Sequence, residues 1–377
     1  MKDLNKDLHI ITLDVPYPPD YGGMIDSYYR IQSLHNIGIQ IHLHCFEYGR
    51  HHSPELESLC KTVNYYLKKA VLSPHLSLLP YIVSSRNSKL LLDNLCKEDF
   101  PVLFDGLHTT FYLDHPSLST RKKFVRMHNI EHKYFINLSG YEKDPLKKLY
   151  FKIESLRLRQ YEKILAKADK ILSVCAGDDE YFKNKYHNSE LIPPFHAYNK
   201  IESQPGSGEY CLYHGNLSVS ENIAAVEFLI SNVFSQIQYP CIIAGKNPAK
   251  SLATKSSSFR NIRIVANPDI NSMSELIRNA HINVLPSNTR SGFKMKILGS
   301  LSLGKHCLVN EKMIVGTGLE SLCHVSNSGE SMIENINTIM HQPFTDEMIA
   351  ARESIIFRYY NNVTNATKLA SIIFPSS

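Results

Sequence analysis

LHIITLDVPYPPDYGGMIDSYYRIQSLHNIGIQIHLHCFEY, residues 8–48, decides the fold. LHIITLDVP is an apolar run closed by Pro16, the pattern of a buried strand. MIDSYYRIQSLHNIG then sets Met24, Ile25, Tyr28, Ile31 and Leu34 at helical spacing and stops at Gly38. IQIHLHCFEY reads as a second strand. Strand, helix and strand in so short a span make a βαβ unit, whose strands pair in parallel.

The alternation continues on both sides of a single break. TVNYYL, FPVLFDG, KKFVRMHN and KADKILSVCAG add strands, with helical patterns at 86–97 and 143–168. Near residue 193, PPFHAYNKIESQPGSGEY has the composition of a linker. Beyond it, EYCLYHG, YPCIIAG, NIRIV, HINVLP and KHCLVN read as strands. ENIAAVEFLISNVF and segments 271–279, 291–303 and 328–339 read as helices, and 343–373 as one last helical segment. The expectation is an α/β chain of two similar halves, each a parallel sheet flanked by helices.

Composition narrows the class. A chain of 377 residues, 43% hydrophobic and 20% charged, can bury ample core and is not disordered. Seventeen Gly and eighteen Pro exclude a collagen-like or low-complexity chain. A formal net charge of +5 is too small for a dedicated nucleic-acid binder, so no nucleic-acid partner is expected. The eight cysteines are dispersed without a C-x-x-C pair, and Cys45 and Cys241 sit in apolar runs. That pattern argues against a disulfide framework or a structural zinc and suits a reducing cytoplasm.

The start, MKDLNKDLHIITLDV, lacks a signal-peptide pattern, and the apolar stretch VLSPHLSLLPYIV is too interrupted to span a bilayer. The Asn-x-Ser/Thr matches at Asn137, Asn216, Asn362 and Asn365 are then coincidental. Residues 143–170 carry nine Lys/Arg against four Asp/Glu, interleaved with Tyr150, Phe151, Leu156, Leu158, Tyr161, Ile164 and Leu165. Such a segment suits peripheral contact with the inner face of an anionic membrane, or a solvated outer helix with its apolar stripe on the sheet. The second is the simpler expectation.

Three clusters could carry chemistry. Gly22 and Gly23 enter a helix just after the first strand, where free N–H groups and the helix dipole favour an anion. Neither a G-x-G-x-x-G fingerprint nor a P-loop is present, which disfavours Rossmann dehydrogenases and P-loop NTPases. RMHNIEH, Arg126 to His132, follows a strand, where parallel sheets collect their ligands. Arg126 offers an anion clamp, and His128, Glu131 and His132 offer acid–base groups. His128 and His132 are four apart, as metal ligands can be, but no third ligand accompanies them, so no metal is expected. His42 and His44 share one strand face and read as buried, satisfied histidines. The third cluster runs from Leu285 to Lys305. Asn288, Thr289, Ser287, Arg290, Ser291 and Gly292 form a loop, and Lys294 and Lys296 enter the next helix, a combination suited to a diphosphate. Two such loops, one per half, would face each other across a cleft.

Four ordered segments carry a family resemblance: PYPPDYGGMIDSYYRI at 16–31, RMHNIEHKY at 126–134, YHGNLSVSEN at 213–222 and SGFKMKILGSLSLGK at 291–305. Together they resemble retaining glycosyltransferases of family 4, of the bacterial glycan-assembly type, over nearly the whole chain. The resemblance implies the GT-B fold, two Rossmann-like domains facing across a cleft. Residues 1–195 would bind acceptor, with a final helix at 355–377 crossing back onto them, and 205–354 would bind the nucleotide-sugar. It implies transfer of a hexose to a polysaccharide or lipid-linked acceptor with retained configuration and without cofactor or metal. By position, Gly22 and Gly23 lie near the donor phosphates, His128 at the reacting sugar and Lys296 on the phosphate side, with Lys294 a second candidate cation. Ser287, Arg290, Ser291, Gly292 and Asn216 complete the donor side, Glu131 joins His128 as a catalytic candidate, and Arg126 faces the acceptor.

One departure stands out. The family's two glutamates, with seven residues between them, correspond to Ser291 and Gly299. The second glutamate normally holds the nucleotide ribose, so here the ribose is held otherwise or donor binds weakly. Segment 215–222 also lacks a second phosphate cation. The alternatives are a degenerate partner protein of a glycan-assembly system and, lower, a sugar-nucleotide epimerase for which Glu131 is the one obvious acid–base carboxylate.

Overall fold

The computed structural model describes residues 6–69 and 78–375. Met1–Asn5 and most of the apolar stretch that begins at Val71 lie outside the described residues, as do Ser376 and Ser377. Two parallel sheets organise the rest. The first has the order β3-β2-β1-β4-β5-β6-β7. Its strands are β1 (Asp7–Thr12), β2 (Gln40–Glu47), β3 (Thr62–Leu67), β4 (Val102–Asp105), β5 (Lys123–Met127), β6 (Lys170–Ser173) and β7 (Ser189–Leu191). The second has the order β10-β9-β8-β11-β12-β13. Those strands are β8 (Cys211–Asn216), β9 (Cys241–Lys246), β10 (Ile262–Ala266), β11 (Ile282–Leu285), β12 (His306–Val309) and β13 (His324–Val325).

Every residue of β1, β4, β5, β11 and β12 is buried, as expected where helices cover both faces of a parallel sheet. The first half confirms the βαβ reading of residues 8–48: β1 pairs with β2 from Asp7↔Gln40 to Thr12↔Cys45, around a helix at Gly22–Asn36. Each sheet reverses its winding once, between β1 and β4 and between β8 and β11, and such switch points open a crevice at the strands' carboxyl ends. All eight cysteines are unbonded.

Several helices end elsewhere than the sequence pattern predicts. The 143–168 segment is a helix at Pro145–Tyr161 followed by a 3-10 turn at Glu162–Lys167. Asp144 begins it by accepting from the backbone N–H groups of Leu146 and Lys147 at 2.8 and 3.2 Å. The helix expected at 291–303 starts only at Lys296, because Gly292 takes a positive φ of 70°.

The 343–373 segment is two helices, Asp346–Tyr359 and Asn362–Ile373, the second capped by the Asn361 side chain on the Thr364 N–H at 2.9 Å. The break serves a change of sheet. Ile356 packs in the core of the second sheet, whereas Ala366, Leu369, Ala370 and Ile373 pack in that of the first. The two chain crossings are tied where they meet. Asn362 donates to the His196 carbonyl at 2.7 Å, and the His196 ring donates to the Tyr360 carbonyl at 2.7 Å.

Candidate functional site

Both switch points open into one cleft of about 1040 Å³ between the two sheets. Its first wall is built on paired charge. Asp26 and Arg30 lie on the Gly22–Asn36 helix, Asp105 ends β4, and Arg126 and His128 lie at the end of β5. Asp26 takes Arg30 at 2.6 Å and Arg126 at 2.8 Å, and Asp105 takes the other face of Arg30 at 2.8 Å. Burial alone would raise both carboxyls. The two guanidiniums, with His128, instead hold them below the usual range.

His128 borders the cleft. Its Nε2–H donates to Asp105 at 2.7 Å, and its Nδ1 lies 3.8 Å from Asp26. The ring is thereby fixed in position and orientation. Asp26, Asp105 and His128 bring ligand atoms within 4.8 Å of one another. Those carboxylates already face two buried guanidiniums, so the charge a metal would supply is in place and the set does not fit one.

Arg126 sits elsewhere than the sequence reading placed it. It is fully buried and absent from the cleft lining, spent on Asp26 and on the carbonyls of Ile192 and Pro193. It is a buried ion-pair partner and does not face an acceptor. His132 turns away and donates to Glu162 at 2.9 Å, so it does not converge with His128. Glu131 does border the cleft. Burial, and then Asp178, push its carboxyl up to about 8, so it keeps a proton at neutral pH. Gly22 and Gly23 open their helix at the cleft, with no capping side chain and no acid in the first turn. That end keeps its capacity for an anion.

The second wall carries two lysines, Lys294 and Lys296, that form no ion pair among the described residues. Lys296 enters its helix beside β8, with its ammonium 3.3 Å from the Tyr213 hydroxyl and 3.5 Å from the His214 carbonyl. It also lies 4.5 Å over the Tyr213 ring. Burial lowers it to about 8 against the pull of the Glu221 carboxylate, and it forms no ion pair among the described residues. Lys294 is also lowered by burial and donates to the backbone carbonyls of Ser291 and Gly292. Ser287 and Thr289 both donate to Glu221, at 3.1 and 3.0 Å, which fixes the loop below them. Asn216 borders the cleft and accepts from the Ser218 N–H at 3.1 Å.

Three of the donor-side candidates do other work. Arg290 is exposed, outside the cleft lining, and pairs with Glu311 at 2.6 Å. Ser291 accepts from the Ile130 N–H of the first half at 3.3 Å. Gly292 donates its N–H to Asp178 at 3.1 Å, and a Cβ there would lie 1.9 Å from Asn129 Oδ1. Its glycine is required by the approach of the two halves.

The structure adds residues that the sequence reading passed over. Lys246, at the end of β9, puts a cation on the second wall and pairs with Asp20 across the cleft. A side chain at Gly299 would start 2.9 Å from the Tyr198 hydroxyl, which has no hydrogen-bond partner among the described residues. Tyr198, from the linker, thus fills the space that a larger residue at 299 would need. Its position just before the restart of the strand pattern was the one available signal.

Comparison with known proteins follows the same lines. Residues 208–342 match the family of glycosyl transferases group 1. A 44.6 kDa protein of the cps region of Klebsiella pneumoniae is 25% identical, over 96% of this chain and 92% of that one. HepE of Anabaena, in complex with UDP and glucose, superposes with a TM-score of 0.68 over 99% of this chain and 100% of that one, at 12% identity. This is the GT-B fold. WaaG, a glycosyltransferase involved in lipopolysaccharide biosynthesis, shares it with a TM-score of 0.64, at 12% identity over 98% of this chain and 100% of that one. The GT-B architecture and the group 1 match in the second half together support a glycosyltransferase of group 1. Among the described residues no helix is long and apolar enough to cross a membrane.

Proposed function

We propose that this protein moves a hexose from a nucleotide-sugar to a polysaccharide or lipid-linked acceptor, with retained configuration and without a metal ion. The observation that carries the reading is Lys296, a cation set at a helix start in the cleft that forms no ion pair among the described residues. The donor diphosphate lies against Lys296 and Lys294, facing the uncapped helix start at Gly22 and Gly23. HepE, whose complex holds UDP and glucose, supports a nucleotide-sugar as partner. Residues 205–354 bind the donor and 1–195 the acceptor.

In the reaction the bond between the sugar's anomeric carbon and the phosphate oxygen breaks, and the departing diphosphate gathers negative charge. Fixed cations stabilise that charge without reorganising, which is the main catalytic demand. His128, held by Asp105, lies at the reacting sugar, and the protonated Glu131 supplies a neutral donor beside it. The acceptor hydroxyl enters from the first wall and passes its proton to the departing phosphate as the new glycosidic bond forms.

Tyr198 in the space beside Gly299 favours a second reading, a degenerate partner in glycan assembly that binds no donor. A panel of nucleotide-sugars with glycan and lipid-linked acceptors separates the two. Transfer or hydrolysis of one sugar, reduced at least about a hundredfold in His128→Ala, supports the enzyme. Silence across the panel supports the partner.

A further inference from the structure

We propose that a second cavity, at the opposite end of the first sheet from the cleft, binds a phosphate group. It measures about 310 Å³, whereas one water takes about 30 Å³ of the liquid. Arg121, Lys122, Lys123 and Lys167 line it, together with the carboxylate of Asp169. None of these residues borders the cleft. Lys123 begins β5 and His128 follows its end, so the five residues of the strand hold the two sites roughly 17 Å apart.

The local fold brings the cations together and pins them. The Arg121 N–H closes a turn on the Leu118 carbonyl at 3.3 Å, which turns the chain into β5. Asp169 stands just before β6. Its carboxylate accepts from the Lys123 N–H at 2.8 Å and from the Lys122 ammonium at 3.1 Å. Its own N–H donates to the Lys123 carbonyl at 2.8 Å. The acid inside the cavity is therefore spent on holding the loop that carries the cations.

What these contacts leave over is positive and poorly solvated. Arg121 is 8% exposed and pairs through Nε with Asp99 at 3.1 Å, yet its buried Nη1 has no hydrogen-bond partner. Lys123 is also buried, and its ammonium has neither an ion pair nor a hydrogen bond among the described residues. The other acids stand at the rim: the side chain of Asp99 is 79% exposed, and that of Asp114, which meets Lys167 at 3.4 Å, 52%. Exposed pairs of that kind contribute little, so they yield to a ligand. A buried guanidinium nitrogen left unbonded costs free energy that an acceptor relieves. A neutral ligand would answer only that need, whereas a doubly charged oxyanion also answers the excess of cations, and the guanidinium fork suits its geometry. The site stands independently of the glycosyltransferase reading.

Titration calorimetry on the full chain in EDTA tests it, in a Lys296→Met background that removes a phosphate-side cation from the cleft. The probes are inorganic phosphate, glucose 1-phosphate and, at equal ionic strength, sodium chloride. The expected result is binding of the phosphate compounds alone. Lys123→Gln and Lys167→Glu should each weaken it at least about tenfold. Lys167 is exposed, so the second variant keeps the fold, which circular dichroism checks. Tighter binding of glucose 1-phosphate than of inorganic phosphate assigns the site to a sugar phosphate, and the reverse to the free ion. No binding of either compound, an equal response to chloride, or undiminished binding in a folded variant overturns the proposal.

Discussion

The two walls of the cleft carry similar residues in opposite states. On the first, Asp26, Arg30, Asp105, Arg126 and His128 satisfy one another at 2.6–2.8 Å. On the second, Lys296 lies against a hydroxyl, a carbonyl and an aromatic face, with Glu221 acting on it but no ion pair formed among the described residues. A closed charge network holds its members rigid and leaves nothing for a ligand to neutralise. An unpaired, desolvated ammonium is a cost in the free protein that a bound anion relieves. The first wall therefore positions, and the second wall binds.

Substitutions should break the walls in different ways. The largest effect is expected from Asp26→Ala, which strands Arg126 in the core and leaves Arg30 with Asp105 alone. Urea unfolding should show a loss of about 3–5 kcal/mol, and a loss below about 1 kcal/mol would mean that the network does not hold the wall. Gly292→Ala comes next. Its positive φ and its collision with Asn129 should cost about 1–3 kcal/mol in the same measurement, and a neutral result would show that the halves do not meet there.

Lys296→Met sharpens the contrast, since removing the desolvated charge should hold or raise stability yet weaken nucleotide binding at least about tenfold. The pH dependence follows from the same group. The folded protein keeps this proton only below about 8, whereas the unfolded chain keeps it to about 10.4. Unfolded chains therefore bind more protons in that window, so stability from Lys296 rises with pH while anion affinity falls. Calorimetric titration at pH 7 and pH 9 should show weaker binding at pH 9, and the difference should shrink in Lys296→Met, where the titration of Glu131 remains. The smallest effect is expected from Tyr198→Phe, a few-fold loss of nucleotide affinity from one missing hydroxyl, with thermal stability as the control.

How much of this was legible in the sequence differs between the walls. Residues 8–48 disclosed a parallel sheet, because burial on both faces and helical spacing are local patterns. Two cations of the second wall were legible too, since Lys294 and Lys296 stand in a loop-to-helix segment next to a strand. The buried ion-pair network of the first wall was not. Arg126 looked like an anion clamp because Asp26, its partner, lies a hundred residues earlier in the chain. Gly292 looked like part of a ligand loop because the Asn129 side chain that requires it comes from the other sheet. The break within the C-terminal helical segment was not legible because its apolar residues divide between two cores, which one periodic pattern cannot show.

The central claim is that the second wall holds a diphosphate by protein charge. It is tested most directly by thermal unfolding of wild type and Lys296→Met with UDP, GDP, ADP, CDP and dTDP, in EDTA. A nucleotide at about a hundred times its dissociation constant should add on the order of 2.7 kcal/mol, a visible rise in Tm. The account predicts that one nucleotide raises the wild-type Tm and fails to raise that of Lys296→Met. No rise with any nucleotide, or an equal rise in both proteins, would contradict it.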